Sequence, residues 1–242
     1  MNAFLYGVVL QWKLDLRTRE VLLTYYVVPI VFFGFMGGIF TSINPIAKET
    51  LLESMIVFGV TMGAFLGAPS PLVEMYGSEI IKAYKVGRIP LWTAAINNFI
   101  SAFIHLFIMS LIIFFVAPIA FHAKTPSNLP LFFLSLAVFI TASLSVGTVL
   151  GLLLKRSTKL TMVSQFLFLP SVMLSGIMFP ANMLPYAMEV IGKVLPATWG
   201  FKSMLQNIVD IQVIFPLLLI IGITICINAW CMTKLGKNEP SK

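Results

Sequence analysis

Long apolar runs separated by short polar connections dominate the 242-residue chain. An α-helix rises 1.5 Å per residue, so about 20 apolar residues cross the hydrocarbon layer of a membrane. The pattern predicts six such spans, at residues 21–41, 51–72, 92–117, 130–153, 160–178 and 211–232. No connection is long enough for a separate soluble domain. The predicted fold class is therefore an all-α polytopic membrane protein with one domain over residues 1–242.

The segment before the first span, residues 1–20, predicts an amphipathic helix lying along the inner membrane surface. Its apolar side chains form a partial helical stripe, which Asp15 interrupts: Phe4, Leu5, Val8, Val9, Trp12 and Leu16. A frayed, solvated tail is the alternative. No small-residue cleavage site follows a short apolar core, so we expect the first span to stay in the protein rather than act as a cleaved signal peptide.

The composition agrees with a membrane protein, since 59% of residues are hydrophobic and 10% charged. Twelve of the sixteen Lys and Arg residues lie in the N-terminal segment, the second and fourth connections and the tail. The positive-inside rule then places both termini in the cytoplasm. The net charge of +7 is spread through the connections and does not favour nucleic-acid binding. Cys226 and Cys231 fit neither a disulfide framework nor a CxxC site.

Two spans carry faces of small residues at four-residue spacing, which allow helix backbones to approach closely. These residues are Gly59, Gly63 and Gly67 in the second span, and Ser143, Gly147 and Gly151 in the fourth. Packing within one subunit and a role in a subunit interface or translocation path both remain open. Pro29 and Pro170 predict breaks in the first and fifth spans.

His105 is the only titratable residue predicted near the middle of a span. Intramembrane ionisable residues are functional candidates. No partner carboxylate is predicted at this depth, so we weigh a structural hydrogen bond against a substrate or proton role. The absence of other buried charges disfavours an ion-coupled carrier. It also disfavours an intramembrane enzyme, which would need a catalytic group of residues at membrane depth.

The second connection, Glu74 to Pro90, predicts a short amphipathic helix that a partner protein could contact. Ser78 is a suitable helix cap, and Glu79 precedes Lys82 and Lys85, as the helix dipole favours. The apolar side consists of Ile80, Ile81 and Tyr84. A solvated basic loop is the alternative.

The segment Ser175–Lys202 predicts short helices at the outer surface before the last span. Residues 185–195 are too few to cross a membrane, and Pro185 suits a first helical position. Glu189 and Lys193 have the i,i+4 spacing of a helical ion pair.

With these features, the chain resembles the membrane subunits, or permeases, of type-2 ATP-binding-cassette exporters. The resemblance rests on the GIMFP of Gly176–Pro180, on Leu184 and Pro185, and on the LPATWGF of Leu195–Phe201. After the second span, the acidic residue, glycine and short helix of the family match Glu74, Gly77 and Glu79. The match there departs from the family, because Val73–Glu74 stands where an Arg–Glu pair is usual.

The resemblance implies that two permeases, identical or different, pair in the cytoplasmic membrane and that each rests on an ATPase subunit. This chain has no GxxxxGK[ST] motif, so ATP and Mg would be bound by the separate ATPase, and the chain itself would be no enzyme and hold no cofactor or metal. The residues implied in coupling to the ATPase are Glu74, Gly77, Glu79, Ile80, Ile81, Lys82 and Tyr84. Those of the outer re-entrant motif are Gly176, Phe179, Pro180, Pro185 and Pro196.

In such permeases the second and fifth spans line the central path. The candidate path residues here are Phe58, Met62, Phe65, Phe166, Phe168 and Met173, with His105 added from the third span. Their soft apolar surfaces predict export of a hydrophobic or amphiphilic compound, such as a drug, peptide antibiotic or lipid, and hence a role in drug or antibiotic resistance. Alternatives are polysaccharide export, a non-transporting membrane anchor or immunity protein, and a secondary carrier.

Overall fold

The structure is a computed structural model that describes residues 3–43, 48–77, 80, 84, 86–87, 89–178 and 183–237. The described residues form helices and connections, with no strand among them. The helices are α1 (Ala3–Arg17), α2 (Arg19–Leu22), α3 (Val28–Ile43), α4 (Leu51–Met62), α5 (Pro69–Gly77), α6 (Trp92–Phe121), α7 (Leu129–Leu153), α8 (Ser157–Leu174), α9 (Tyr186–Gly192), α10 (Pro196–Met204) and α11 (Ile211–Lys237).

Two π-helical turns interrupt otherwise continuous helices. One, Leu23–Val27, joins α2 to α3, and the other, Gly63–Gly67, joins α4 to α5. Each lies just before a proline, Pro29 or Pro69. A proline lacks the N–H donor and crowds the carbonyl four residues back, so the preceding turn widens. The break predicted at Pro29 takes this form, whereas Pro170 lies within α8.

Among the described residues, five helices are long and apolar enough to cross a membrane. They are Arg19–Ser42, Leu51–Gly77, Trp92–Phe121, Leu129–Leu153 and Ile211–Leu235. Helix α8, over the predicted fifth span, has 18 residues and is less apolar, because it includes Lys159 and Gln165. A sixth span therefore stays a prediction.

Helix α4 lies at the centre of the bundle. All twelve of its residues are buried, and α3, α6, α7, α8 and α10 pack around it. A helix that is buried on every side must be apolar or small on every side, as α4 largely is. By contrast, only 11% of the most apolar stretch of α11 is buried, so α11 lies at the edge of the bundle.

The predicted small-residue faces pack within the subunit. A Cβ atom at Gly59 would lie 2.6 Å from Cε of Met109 on α6, and one at Gly67 would lie 2.6 Å from Cε1 of Tyr25. On α7, a Cβ atom at Gly147 would overlap the carbonyl oxygen of Ala64. Of the two hypotheses for these faces, the contacts favour packing within one subunit, since each glycine touches a neighbouring helix of the same chain.

Helix α1 buries a different face from its apolar stripe. Gln11 and Asp15 are buried against the bundle, while Phe4 and Leu5 are 40% and 53% exposed. A Cβ atom at Gly7 would overlap the side-chain amide of Asn97, which shows how closely α1 approaches α6. The helix thus rests on α6 by a partly polar face. Most of its apolar stripe is exposed, whereas Trp12 packs against α6.

We expect Gly147→Ala to destabilise the protein by about 1–3 kcal/mol, because the new methyl group would meet backbone that cannot rotate away. The measurement is the midpoint of thermal unfolding in detergent. Gly222→Ala is the matched control, since no neighbouring heavy atom lies within 4 Å of its Cβ position. Equal midpoints for the two variants would contradict the close contact of α7 with the second π-helical turn.

Candidate functional site

His105 on α6 is enclosed by three aromatic side chains. Its ring is fully buried. Tyr25 and Trp12 stack on it with ring centroids 5.4 and 5.9 Å away. The hydroxyl of Tyr26 shares a hydrogen bond of 2.7 Å with Nδ1 of His105. Because Tyr25 and Tyr26 both lie in the first π-helical turn, this turn directs two consecutive side chains toward the same ring.

A carboxylate also lies beside His105, contrary to the prediction from sequence. Oδ2 of Asp15 is 4.0 Å from Nε2 of His105 and accepts a hydrogen bond of 2.5 Å from Oγ of Ser101. Oδ1 of Asp15 accepts one of 2.9 Å from Nε2 of Gln11. The prediction of no acidic partner was wrong because α1 packs against α6 instead of lying only on the membrane surface. The interruption of the apolar stripe by Asp15 was the signal that could have revealed it.

Two buried carboxyl groups bear on the prediction against an ion-coupled carrier. Asp15 is 2% exposed and Glu53, on α4, is 4% exposed. Burial raises the pKa of Asp15 above its ordinary value, although the hydrogen bonds from Ser101 and Gln11 oppose the rise. The expected absence of buried charge therefore no longer disfavours an ion-coupled carrier. No group of three or more His, Cys, Asp or Glu residues able to hold a metal ion occurs in the described part of the chain.

The cluster of Gln11, Asp15, Tyr26, Ser101 and His105 joins α1, the first π-helical turn and α6. Each member makes a hydrogen bond within the cluster, whereas Nε2 of His105, 4.0 Å from Oδ2 of Asp15, has no hydrogen-bond partner in the described part of the chain. The geometry at His105 thus favours the structural hydrogen bond over a position on an open path.

We expect Tyr26→Phe to lower the free energy of unfolding by about 1–3 kcal/mol, because Nδ1 of His105 would stay buried without its partner. Thermal unfolding in detergent measures the loss. Tyr186→Phe is the control, since Tyr186 is 79% exposed. Unchanged stability for Tyr26→Phe would show that the cluster contributes nothing.

A cavity of about 470 Å³ lies between α1, α2, the two π-helical turns, α5 and α8. We call it the carboxylate cavity, because Asp15, Glu20 and Glu74 are among its lining residues. The rest of the described lining is Gln11, Leu14, Thr18, Val21, Thr24, Leu66, Gly67, Ser70, Pro71, Met75, Ile80, Leu160, Thr161, Ser164 and Gln165. It lies at the end of the bundle predicted to face the cytoplasm.

Two of the predicted coupling residues, Glu74 and Ile80, line this cavity. Gly77 is the last residue of α5. Tyr84 lies close to Tyr76, whose hydroxyl donates a hydrogen bond of 2.7 Å to the carbonyl of Leu91. This bond ties α5 to the start of α6 across the connection. Glu79, Ile81 and Lys82 lie outside the described residues.

Some of the candidate path residues are buried in the core, and others are exposed on the surface. On α4 and the second π-helical turn, Phe58, Met62 and Phe65 are buried, as is His105. They do not face an open path in this subunit, because α4 is covered on every side. On α8, Phe168 is half-buried and contacts Phe58 edge to face, with centroids 5.7 Å apart.

The remaining candidates belong to an exposed apolar stripe on α8. Phe166 is 81% exposed and Met173 50% exposed. With Met162 and Leu169 they follow helical spacing along one face, which we call the α8 stripe. A continuous exposed apolar stripe on a helix requires lipid, a second subunit or an apolar ligand beside it.

The outer motif is built on one glycine and two prolines. Gly176 has φ +95°, a backbone conformation that favours glycine. Pro185 precedes the first residue of α9, and Pro196 is the first residue of α10. The predicted ion pair between Glu189 and Lys193 forms, at 2.8 Å. Phe179 and Pro180 lie outside the described residues.

Two side chains of α10 fix the loop between α9 and α10. Thr198 donates a hydrogen bond of 2.6 Å to the carbonyl of Gly192, and Nε1 of Trp199 donates one of 2.7 Å to the carbonyl of Lys193. Helix α10 is mostly buried and packs against α7 and α11, whereas α9 is mostly exposed. The family-like LPATWGF segment is therefore part of the bundle core.

A family model described as "ABC-2 type transporter" matches residues 3–209, which extend from the start of α1 past the end of α10. No curated protein matches the chain.

Proposed function

The chain belongs to the ABC-2 type transporter family, and we propose that it is one half of an ATP-driven exporter for a hydrophobic or amphiphilic compound. As a member of this family with five apolar helices of sufficient length among its described residues, it is a multi-pass membrane subunit of a transporter. The family implies an ATP-binding-cassette partner. The main support for the proposal is the family match over residues 3–209.

The proposed assembly contains two permeases and two ATPase subunits in the cytoplasmic membrane. Helix α8 would be the sixth span, since its 18 residues extend about 27 Å. Lys159 near its first turn can extend its ammonium group to the membrane surface. With six spans, both termini lie in the cytoplasm, as the distribution of Lys and Arg indicates.

The α8 stripe is the proposed wall of the export path. Its methionine and aromatic side chains are adaptable apolar surfaces that suit ligands of varied shape. The buried ring of Phe58 contacts the half-buried ring of Phe168 edge to face. A small shift of α8 relative to α4 would therefore expose a second layer of apolar side chains to the substrate. This arrangement supports amphiphile export over polysaccharide export, which would need polar groups beside sugar-stacking rings.

The second connection is the proposed contact with the ATPase. Its two ends are held by α5 and α6, which the hydrogen bond between Tyr76 and Leu91 joins. A push on the connection by the ATPase would therefore move α5 and α6 together and change the shape of the carboxylate cavity, which α5 lines.

We expect Glu79→Ala and Ile81→Ala to uncouple ATP hydrolysis from export without unfolding the membrane domain. Purified complexes should keep their thermal stability while the number of substrates exported per ATP hydrolysed falls several-fold. Lys124→Ala, a change in the connection between α6 and α7, is the control. Unchanged coupling in both connection variants would contradict the proposed contact.

We expect Phe166→Ala to reduce ATP-dependent export several-fold and to change stability by less than about 0.5 kcal/mol, because the ring is exposed in the subunit. Phe115→Ala is the matched control, since Phe115 is 63% exposed on α6. Flux into inverted vesicles is the measurement. Equal flux for the two variants would remove the α8 stripe from the path.

A stable complex with an ATPase that shows no ATP-dependent flux of any apolar compound would instead indicate a non-transporting anchor or immunity protein. Affinity purification of the tagged chain, followed by identification of its ATPase and permease partners, also decides between a homodimer and a heterodimer.

A further inference from the structure

We infer that the carboxylate cavity binds the cationic head of an amphiphile, an ammonium, phosphonium or guanidinium centre attached to an apolar body. The inference rests on the proposed function and names the class of substrate. It assigns the cavity as the place where the substrate is first bound, on the side of the coupling connection.

The described lining of the cavity is acidic. Asp15, Glu20 and Glu74 line the cavity, and none of its described lining residues is Lys or Arg. This is unusual in a chain of net charge +7 with only nine acidic residues. Glu20 and Glu74 are exposed, while Asp15 is buried on the wall. Carboxylates beside a partly water-excluded space attract a cation more strongly than they would in open water.

The hydroxyl of Ser164 also points to a ligand, independently of the acidic lining. It lines the cavity and is 1% exposed, yet its hydroxyl has no hydrogen-bond partner in the described part of the chain. Neighbouring hydroxyls on α8 are satisfied within the helix: Thr161 donates to the carbonyl of Ser157 and Ser171 to that of Leu167. Buried polar groups are almost always hydrogen-bonded, so an unpartnered one at a cavity indicates a ligand or water there.

The rest of the cavity suits the apolar part of such a ligand. Leu14, Val21, Leu66 and Leu160 contribute apolar side chains to the lining. A volume of about 470 Å³ falls within the range of about 300–1,000 Å³ typical of small-molecule sites. Because Glu74 belongs to both the cavity and the predicted coupling residues, a bound cation would act directly on the segment that contacts the ATPase.

The test compares two probes of equal shape and opposite charge, tetraphenylphosphonium and tetraphenylborate. Binding to the full-length chain in lipid nanodiscs is measured by equilibrium dialysis, with binding to empty nanodiscs subtracted. We expect saturable binding of the cation only. Glu20→Gln and Glu74→Gln should each weaken it about 2- to 5-fold, as expected for partly exposed charges. Glu49→Gln, at the opposite end of the Leu51–Gly77 helix, should leave it unchanged.

Equal binding of the two probes, or equal effects of all three substitutions, would overturn the inference. If the complex nevertheless exports apolar compounds with ATP, the proposed function stands and only the assignment of the cavity fails. Selective cation binding without ATP-dependent flux would support the cavity and overturn the exporter.

Discussion

The burial of α4 on every side is the constraint on which the arrangement of the bundle depends. In a lipid bilayer the hydrophobic effect does not drive helices together. Close contact between helices therefore depends on the complementary shapes of their surfaces. Gly59 on α4 leaves room for Met109, and Gly67 in the second π-helical turn leaves room for Tyr25. Gly147 lets α7 approach the same π-helical turn closely. With α4 enclosed in this way, its own side chains are covered, and we propose that the substrate contacts α8 and the carboxylate cavity instead.

The cluster around His105 holds the other side of that cavity in place. Asp15 and Gln11 on α1 cannot leave α6 without exposing buried polar groups to an apolar surrounding. The part of the lining that α1 provides is therefore held by hydrogen bonds, while α8 provides another part and carries, at Ser164, a hydroxyl without a partner among the described residues.

Local patterns predicted the local features of this protein well. Apolar runs located the long helices, and the i,i+4 spacing of Glu189 and Lys193 predicted an ion pair that forms. Contacts between distant segments were not predictable in the same way. Periodicity states which residues are apolar but not which helix covers them, so the enclosure of Phe65 and the approach of Asp15 to His105 were missed. The carboxylate cavity combines residues from three separate stretches of the chain, 11–24, 66–80 and 160–165, which no single motif records.

We propose that this chain moves its substrate with energy from a separate ATPase. The most direct measurement is flux in proteoliposomes that contain the purified complex, with either ATP or a proton or sodium gradient as the only energy source. We expect uptake of an amphiphilic compound with ATP and none with an ion gradient alone. Flux that follows an ion gradient in the absence of ATP would contradict it, and would assign the buried carboxyl groups a role in ion coupling.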